Sequence, residues 1–332
     1  MTSEPVLILG AGVTGLAAAR SLEDRGVSVV VVDKGRGVGG RLATRRFPDG
    51  SAFDHGAALF DAVSEPFRRR LSQWESEGLV ERLRGGTGTF RVRGPATRLA
   101  KHLARGLDVR LGAKATALIA EGGGLAVTFE NGPALRGAAA VLTAPVPQSL
   151  ELVAAGGVLD SLAGGLRASL EAVAYHPAFV LLLRLDKRVP VPSGGLTLRD
   201  GGPISRILEN ARDGGPSRLS VYARETWARK RFEAPADEVA PALRAATAVA
   251  LGFDLDAVAE EDLKRWRYAR AATLFAEPIA VGRIGGAPVV FAGDAFGLPS
   301  DAHPEFPPLD GNSGVERGFL SGLAAAAEIR GF

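Results

Sequence analysis

The residues with the most chemical meaning in this sequence are glycines. Gly10-Ala11-Gly12-Val13-Thr14-Gly15 lies between a short apolar run, Pro5 to Leu9, and a segment with helical spacing. Strand, glycine turn and helix in that order make an anion cradle, because the free N–H groups of the helix N-terminus face the turn. Gly10 permits the tight turn, Gly12 leaves room for a diphosphate beside Ala11, and Gly15 lets helix and strand pack closely. Asp33 follows a second apolar run, Val27 to Val32, at the distance where a carboxylate accepts hydrogen bonds from a ribose. The chemistry this spacing predicts is dinucleotide binding.

The next stretch separates FAD from NAD. Asp33-Lys34-Gly35-Arg36-Gly37-Val38-Gly39-Gly40-Arg41 sets glycines and two arginines directly after the ribose carboxylate. Such glycines form a backbone nest, and guanidinium forks face phosphate or flavin oxygens. A nicotinamide dehydrogenase has no evident need for this second cradle; the plainer alternative is a solvated basic loop.

These residues need elements to hold them. Val13 to Arg25 reads as a helix whose Ala17, Ala18 and Ala19 allow close approach to a sheet, and with its flanking strands it makes one right-handed βαβ unit. Residues 61–83 read as an amphipathic helix and a short strand. Pro95 sits near the first turn of a helix to about Arg105. Three short strands from Val109 suggest a β-meander, and Pro145 and Pro147 an extended connection. Val180–Leu185, Ile204–Glu209 and Leu219–Ala223 are strand candidates of a second sheet, followed by a helix at 236–250. Val289, Val290 and Phe291 form another buried strand, and Gly314 to Arg330 a long helix. The expected organisation is a discontinuous nucleotide domain of 1–60, 94–160 and 270–332, with 61–93 and 161–269 as the substrate domain.

The run DKGRGVGGRLATRR resembles that of the renalase-like branch of the amine oxidase flavoprotein superfamily, with an acidic residue, RGxGGR and a TR pair. FDHGA at Phe53–Ala57 resembles the family's next block, although Ala58-Leu59-Phe60 stands where the family continues with a glutamine and an aromatic residue. Ala144-Pro145-Val146-Pro147-Gln148, Trp266-Arg267-Tyr268-Ala269 and Ala292-Gly293-Asp294-Ala295-Phe296-Gly297 resemble further family blocks, the last leading through Val315-Glu316 into Leu320-Ser321-Gly322-Leu323.

This resemblance implies an α/β fold: a Rossmann-like FAD-binding domain of the glutathione reductase/p-hydroxybenzoate hydroxylase type with a second α+β substrate domain. It implies non-covalent FAD. The cofactor-contacting set is Gly10, Ala11, Gly12, Gly15, Asp33, Lys34, Arg36, Gly39, Gly40, Arg41, His55, Gly56, Ala57, Ala115, Gly293, Asp294 and Val315. Asp294 would accept from the ribityl chain or its neighbours, and the helix after it would point its N-terminus at the flavin pyrimidine. The activity implied is oxidation of 2- and 6-dihydro isomers of NAD(P), with hydrogen peroxide formed from O2. Oxidation of a dihydropyridine needs positioning more than a side-chain base, so no catalytic residue is assigned. Asn210, Trp266 and Tyr268 are the candidates for positioning the substrate.

Other readings stay open. An amine oxidase is the first rival. A flavin-bound protein without turnover, an NAD-dependent dehydrogenase and a carotenoid-type desaturase are others. The chain of 332 residues is 46% hydrophobic and 23% charged, which is globular composition, and its length predicts two domains. A net charge of +3 with no concentrated basic stripe argues against a nucleic-acid partner. With no cysteine, disulfides, thiolate metal sites and a cysteinyl flavin link are excluded. No leader and no spanning apolar run is evident, so the expectation is a cytoplasmic protein with no membrane partner. The four histidines form no metal-ligand spacing. His176 reads as structural, His303 as a loop residue, and 298–313 as either a lid or a surface insertion.

Overall fold

The computed structural model describes residues 4–83, 88–192, 194–199, 201–211, 213–255, 258–297 and 314–329. The 298–313 segment and His303 lie outside the described residues.

The apolar runs around the glycine turn do become buried strands. Val6–Leu9 sits in the middle of a six-stranded sheet, between Val29–Asp33 and Ala139–Leu142. Val109–Leu111 flanks one side, and Ala287–Phe291 then the antiparallel edge Ala280–Ile284 the other. All four residues of Val6–Leu9 are buried, as a parallel strand covered on both faces must be. The helices Val13–Glu23 and Gly314–Ile329 lie against each other over this sheet. Their approach depends on glycine: a Cβ on Gly322 would come within 2.3 Å of the Thr14 carbonyl oxygen.

A five-stranded antiparallel sheet forms the second layer system, in the order Leu196–Thr197, Ile204–Glu209, Arg218–Ala223, Tyr175–Leu185, Val258–Ala271. One face carries its own core, with Phe179, Leu181 and Val221 packed against Leu243 of the helix Ala236–Leu251. On the other face Val180 and Leu182 pack against Phe53, from the hairpin Thr44–Arg46/Ala52–Asp54.

Three expectations change. Residues 61–93 pack into the nucleotide-domain core: Phe67, Leu71 and Trp74 of the helix Glu65–Ser76 join Leu16 and Phe319 in one apolar cluster. We therefore group that segment with the nucleotide domain. Val109–Leu111 pairs with Val29–Asp33 in the parallel sheet, so the meander begins later, at Ala115–Glu121. Pro145 and Pro147 start a helix, Val146–Ala155, because proline is tolerated in a first turn where no intrahelical N–H is needed. The 14-residue strand Val258–Ala271, from which Trp266 and Tyr268 project, is the longest in the described residues.

Candidate active site

The glycine turn is built by backbone alone. Gly10 has φ +121°, and a Cβ there would meet Thr143 Oγ1 at 2.4 Å; a Cβ on Gly15 would stand 2.0 Å from the Gly10 carbonyl oxygen. Gly12 differs: nothing lies within 4 Å of where its Cβ would be, so this glycine opens onto free space at the start of Val13–Glu23. Asp33 braces the turn, accepting from Ala11 N at 2.7 Å and from Gly35 N at 2.6 Å. The following loop folds back, with Gly39 N donating to the Ala11 carbonyl at 2.8 Å and Gly40 resting on Gly12. Lys34 and Arg36 are exposed on this loop. Gly112 and Ala113 donate to the carbonyls of Gly35 and Asp33, both at 2.9 Å. Those two residues, preceding Ala115, form the bonded side of the Asp33 loop.

Arg41 reaches across the chain. Its guanidinium bonds both oxygens of Asp294, 253 positions away, at 2.7 and 2.6 Å. Burial opposes the charge on Arg41, but the Asp294 carboxylate outweighs it and holds the guanidinium above its ordinary pKa. Asp294 is fixed by its neighbours: Arg317 Nε donates to its carbonyl at 2.8 Å, and Gly293 N to Ser321 Oγ at 2.9 Å. Val315 is buried beside them. The Gly314–Ile329 and Val13–Glu23 helices thus bring both their N-termini, each the positive end of its dipole, to one place. Glu316 is fully buried and accepts from Val63 N at 2.9 Å and Ser64 N at 2.7 Å, anchoring the start of Glu65–Ser76.

The turn His55-Gly56-Ala57 lies between this cluster and the antiparallel sheet. Ala57 N donates to the Arg41 carbonyl at 2.8 Å, and a Cβ on Gly56 would collide with that oxygen at 1.9 Å. From the other side the sheet grips the main chain. Asn210 Oδ1 accepts from Asp54 N at 3.0 Å, and Ser220 Oγ donates to the Asp54 carbonyl at 2.6 Å. Tyr222 OH donates to the Gly56 carbonyl at 3.0 Å and Trp266 Nε1 to that of His55 at 3.1 Å. The other end of the Asn210 amide goes to Arg218 O and Ser220 Oγ, both at 2.9 Å. Asn210 thus ties the strand Ile204–Glu209 to Asp54, the residue just before the turn.

Side chains then line up beyond the turn. The His55 ring stacks on Trp266 with centroids 5.4 Å apart, and Tyr268 meets Tyr175 edge-on at 5.5 Å. Tyr175 is close enough to Arg41 and Asp294 to feel both charges. Burial pushes the His55 pKa down to about 4; Lys264 and Arg45 add to this and Asp262 opposes it, so the ring is neutral at pH 7. Burial raises the Tyr175 and Tyr222 hydroxyls above their usual range, which keeps both neutral; Tyr222 donates to Gly56, and Tyr175 accepts from Val146 N at 3.2 Å.

This arrangement has counterparts. A profile described as flavin containing amine oxidoreductase matches residues 70–300, more than half of the chain, and one for an NAD(P)-binding Rossmann-like domain matches 8–74. The chain belongs to the flavin-containing amine oxidoreductase family. Among solved structures it resembles a candidate protoporphyrinogen oxidase from Exiguobacterium sp. 255-15, with TM-score 0.71 at 14% identity over 100% of this chain and 99% of that one. It also resembles wild-type putrescine oxidase bound to putrescine, with TM-score 0.67 at 16% identity over 99% of both chains. At such identities the likeness is one of fold. This family member is an FAD-dependent oxidoreductase that holds its cofactor non-covalently. The geometry fits that cofactor: the open face of Gly12 and two converging helix N-termini suit a diphosphate. Among the described residues no helix is long and apolar enough to cross a membrane, and no group of three metal-ligating side chains occurs.

Several residues of the family member's site went unread in the sequence. Thr143 locks Gly10; its signal was its place just after the Val141-Leu142 strand. Tyr175, Ser220, Tyr222 and Lys264 gave none, since on alternating strand positions they look like ordinary core or surface residues.

Proposed function

We propose that this chain oxidises the carbon–nitrogen unit of a small molecule, with an amine as the substrate class and O2 as electron acceptor. One observation carries the reading. The His55-Gly56-Ala57 turn is clasped between the Arg41–Asp294 pair and a wall of Trp266, Tyr268 and Tyr175. Gly10, Ala11, Gly12, Gly15, Gly39 and Gly40 would line the diphosphate, Asp33 would take the adenosine ribose, and Arg41, Asp294, Gly293 and Val315 would meet the flavin-side chain. FAD supplies, when bound, the hydride acceptor and its reoxidation by O2 to hydrogen peroxide. The chain's own residues position and exclude water. Trp266 and Tyr268 present aromatic surface to a flat or aliphatic substrate. The neutral His55 ring, whose pKa is near 4, is too weak a base to hold a substrate proton at pH 7. Orientation is thus the main device, with family membership favouring amines.

A second reading has its own support. The DKGRGVGGRLATRR, APVPQ and WRYA runs resemble the renalase-like branch, whose dihydronicotinamide substrates need no base at all. Anaerobic flavin reduction with primary amines, 2- and 6-dihydro-NAD(P) and ordinary NAD(P)H separates them. Bleaching by amines supports the first reading, and bleaching only by the isomeric dihydropyridines the second. No reduction by any of them would overturn carbon–nitrogen oxidation.

A further inference from the structure

We infer that Arg45 and Lys264 form an anion-binding subsite at the rim of the substrate pocket, so that the substrate carries a phosphate or carboxylate as well as its oxidisable carbon–nitrogen unit. This rests on the proposed oxidation and adds the charge of what is oxidised.

On one face of Val258–Ala271, Asp262, Lys264, Trp266 and Tyr268 follow at alternate positions, all half-buried. Lys264 Nζ lies 2.6 Å from Asp262 Oδ2, and Arg45 Nε lies 3.2 Å from the same oxygen. Arg45 comes from the opposing hairpin, its guanidinium 5.6 Å over the Phe47 ring, and with 46% of its side chain exposed the cluster opens to solvent. Two cations share one carboxylate, which leaves the cluster positive. The next carboxylate outward on that face, Glu260, is paired with Arg184 at 3.1 Å and does not offset it.

His55 lies within reach of the same charges, although burial is the main cause of its low pKa. Lys264 and Arg45 both work against a positive charge on its ring, and Asp262 only partly compensates. An ammonium group brought to the same place meets the same repulsion, whereas an anion is attracted. The spacing suits one elongated molecule. Same-face positions on a strand are about 6.6 Å apart, so Lys264 is one step from the Trp266 indole and two from Tyr268. A planar group held by the aromatic wall would place an anionic substituent a few bonds away at the rim.

The test is calorimetric titration of the FAD-loaded protein at low ionic strength with phenyl phosphate, 3-phenylpropionate and the cation benzylamine. Both anions should bind more tightly than benzylamine. Lys264→Gln should weaken them about tenfold without weakening benzylamine, and Lys264→Arg should restore much of the loss. The tighter anion tells phosphate from carboxylate. Arg45→Gln repeats the test should Lys264→Gln load FAD poorly. Benzylamine binding as tightly as the anions, or anion affinity untouched by both substitutions, overturns the subsite. Anion binding without flavin reduction by any carbon–nitrogen compound would keep the subsite and sink the oxidation reading. Reduction with unaltered anion affinity in the variants would do the reverse.

Discussion

Two turns meet at this site and are held in opposite ways. The Gly10–Gly15 turn is shaped by its own backbone and braced by Asp33, which lies close in sequence. The His55–Ala57 turn has local bonds too, His55 N to the Ala43 carbonyl and Ala57 N to the Arg41 carbonyl, but it adds a second set from far away. Tyr222 and Trp266 donate to its carbonyls and Asn210 and Ser220 bond Asp54 just before it, all from residues more than 150 positions distant. The first turn is a local solution to binding an anion, portable between proteins. The second is a long-range one, and through it the antiparallel sheet sets where Arg41 stands.

Substitutions can break that contrast, and the largest effect belongs to the local turn. Gly15→Val forces a side chain against the Gly10 carbonyl and should cost about 3 kcal/mol or more, read as loss of the cooperative thermal transition. Gly12→Ala meets no protein atom and should keep the fold while weakening FAD retention, measured by flavin content after gel filtration. Next comes the link between the turns. A double-mutant cycle of Arg41→Ala and Asp294→Ala should return a coupling of about 2 kcal/mol in unfolding free energy, as a charged bidentate pair would. Additive losses would mean the two side chains act separately. For the long-range turn, Tyr222→Phe removes one donor from the Gly56 carbonyl and should cost about 1 kcal/mol. It should also loosen FAD, although Tyr222 is placed at the sheet; unchanged flavin affinity would uncouple sheet from cofactor.

The smallest effect is in pH. The folded His55 pKa, about 4, lies below the ordinary value of 6.5, so the folded state binds fewer protons than the unfolded chain between them. Stability from this group is complete above pH 6.5 and falls as pH drops towards 4. For this partly exposed ring the loss should be about 1 kcal/mol by pH 5. The melting temperature of His55→Phe should therefore fall less steeply than that of the parent over this range.

What could be read in the sequence follows the same divide. Gly10, Gly12, Gly15 and Asp33 were legible because their roles depend on neighbours within one βαβ unit. The Gly293-Asp294 pair was legible because it ends a buried strand, although nothing in the sequence indicated that Arg41 would grasp it. Asn210 could be singled out by residue type, but only the fold reveals that both ends of its amide are bonded. Val258–Ala271 was largely missed as a strand because its inward face carries Asp262 and Lys264, which spoils the alternation that marks a half-buried strand. The packing of Phe67, Leu71 and Trp74 beside Leu16 was not legible, since an amphipathic helix declares an apolar face without saying which core will receive it.

The pairing of Arg41 with Asp294 also bears on how the molecule comes to be folded. Its partners are brought together only when the strand Ala287–Phe291 has joined the sheet beside Ala139–Leu142. Contacts of such high sequence separation form late, after the loop between them has been closed at an entropic cost. The cofactor cradle thus joins the earliest glycines of the chain to residues from its far end. Bound FAD would act as a reversible staple between distant stretches of chain. By mass action, cellular flavin supply would then set how much of the protein stays folded.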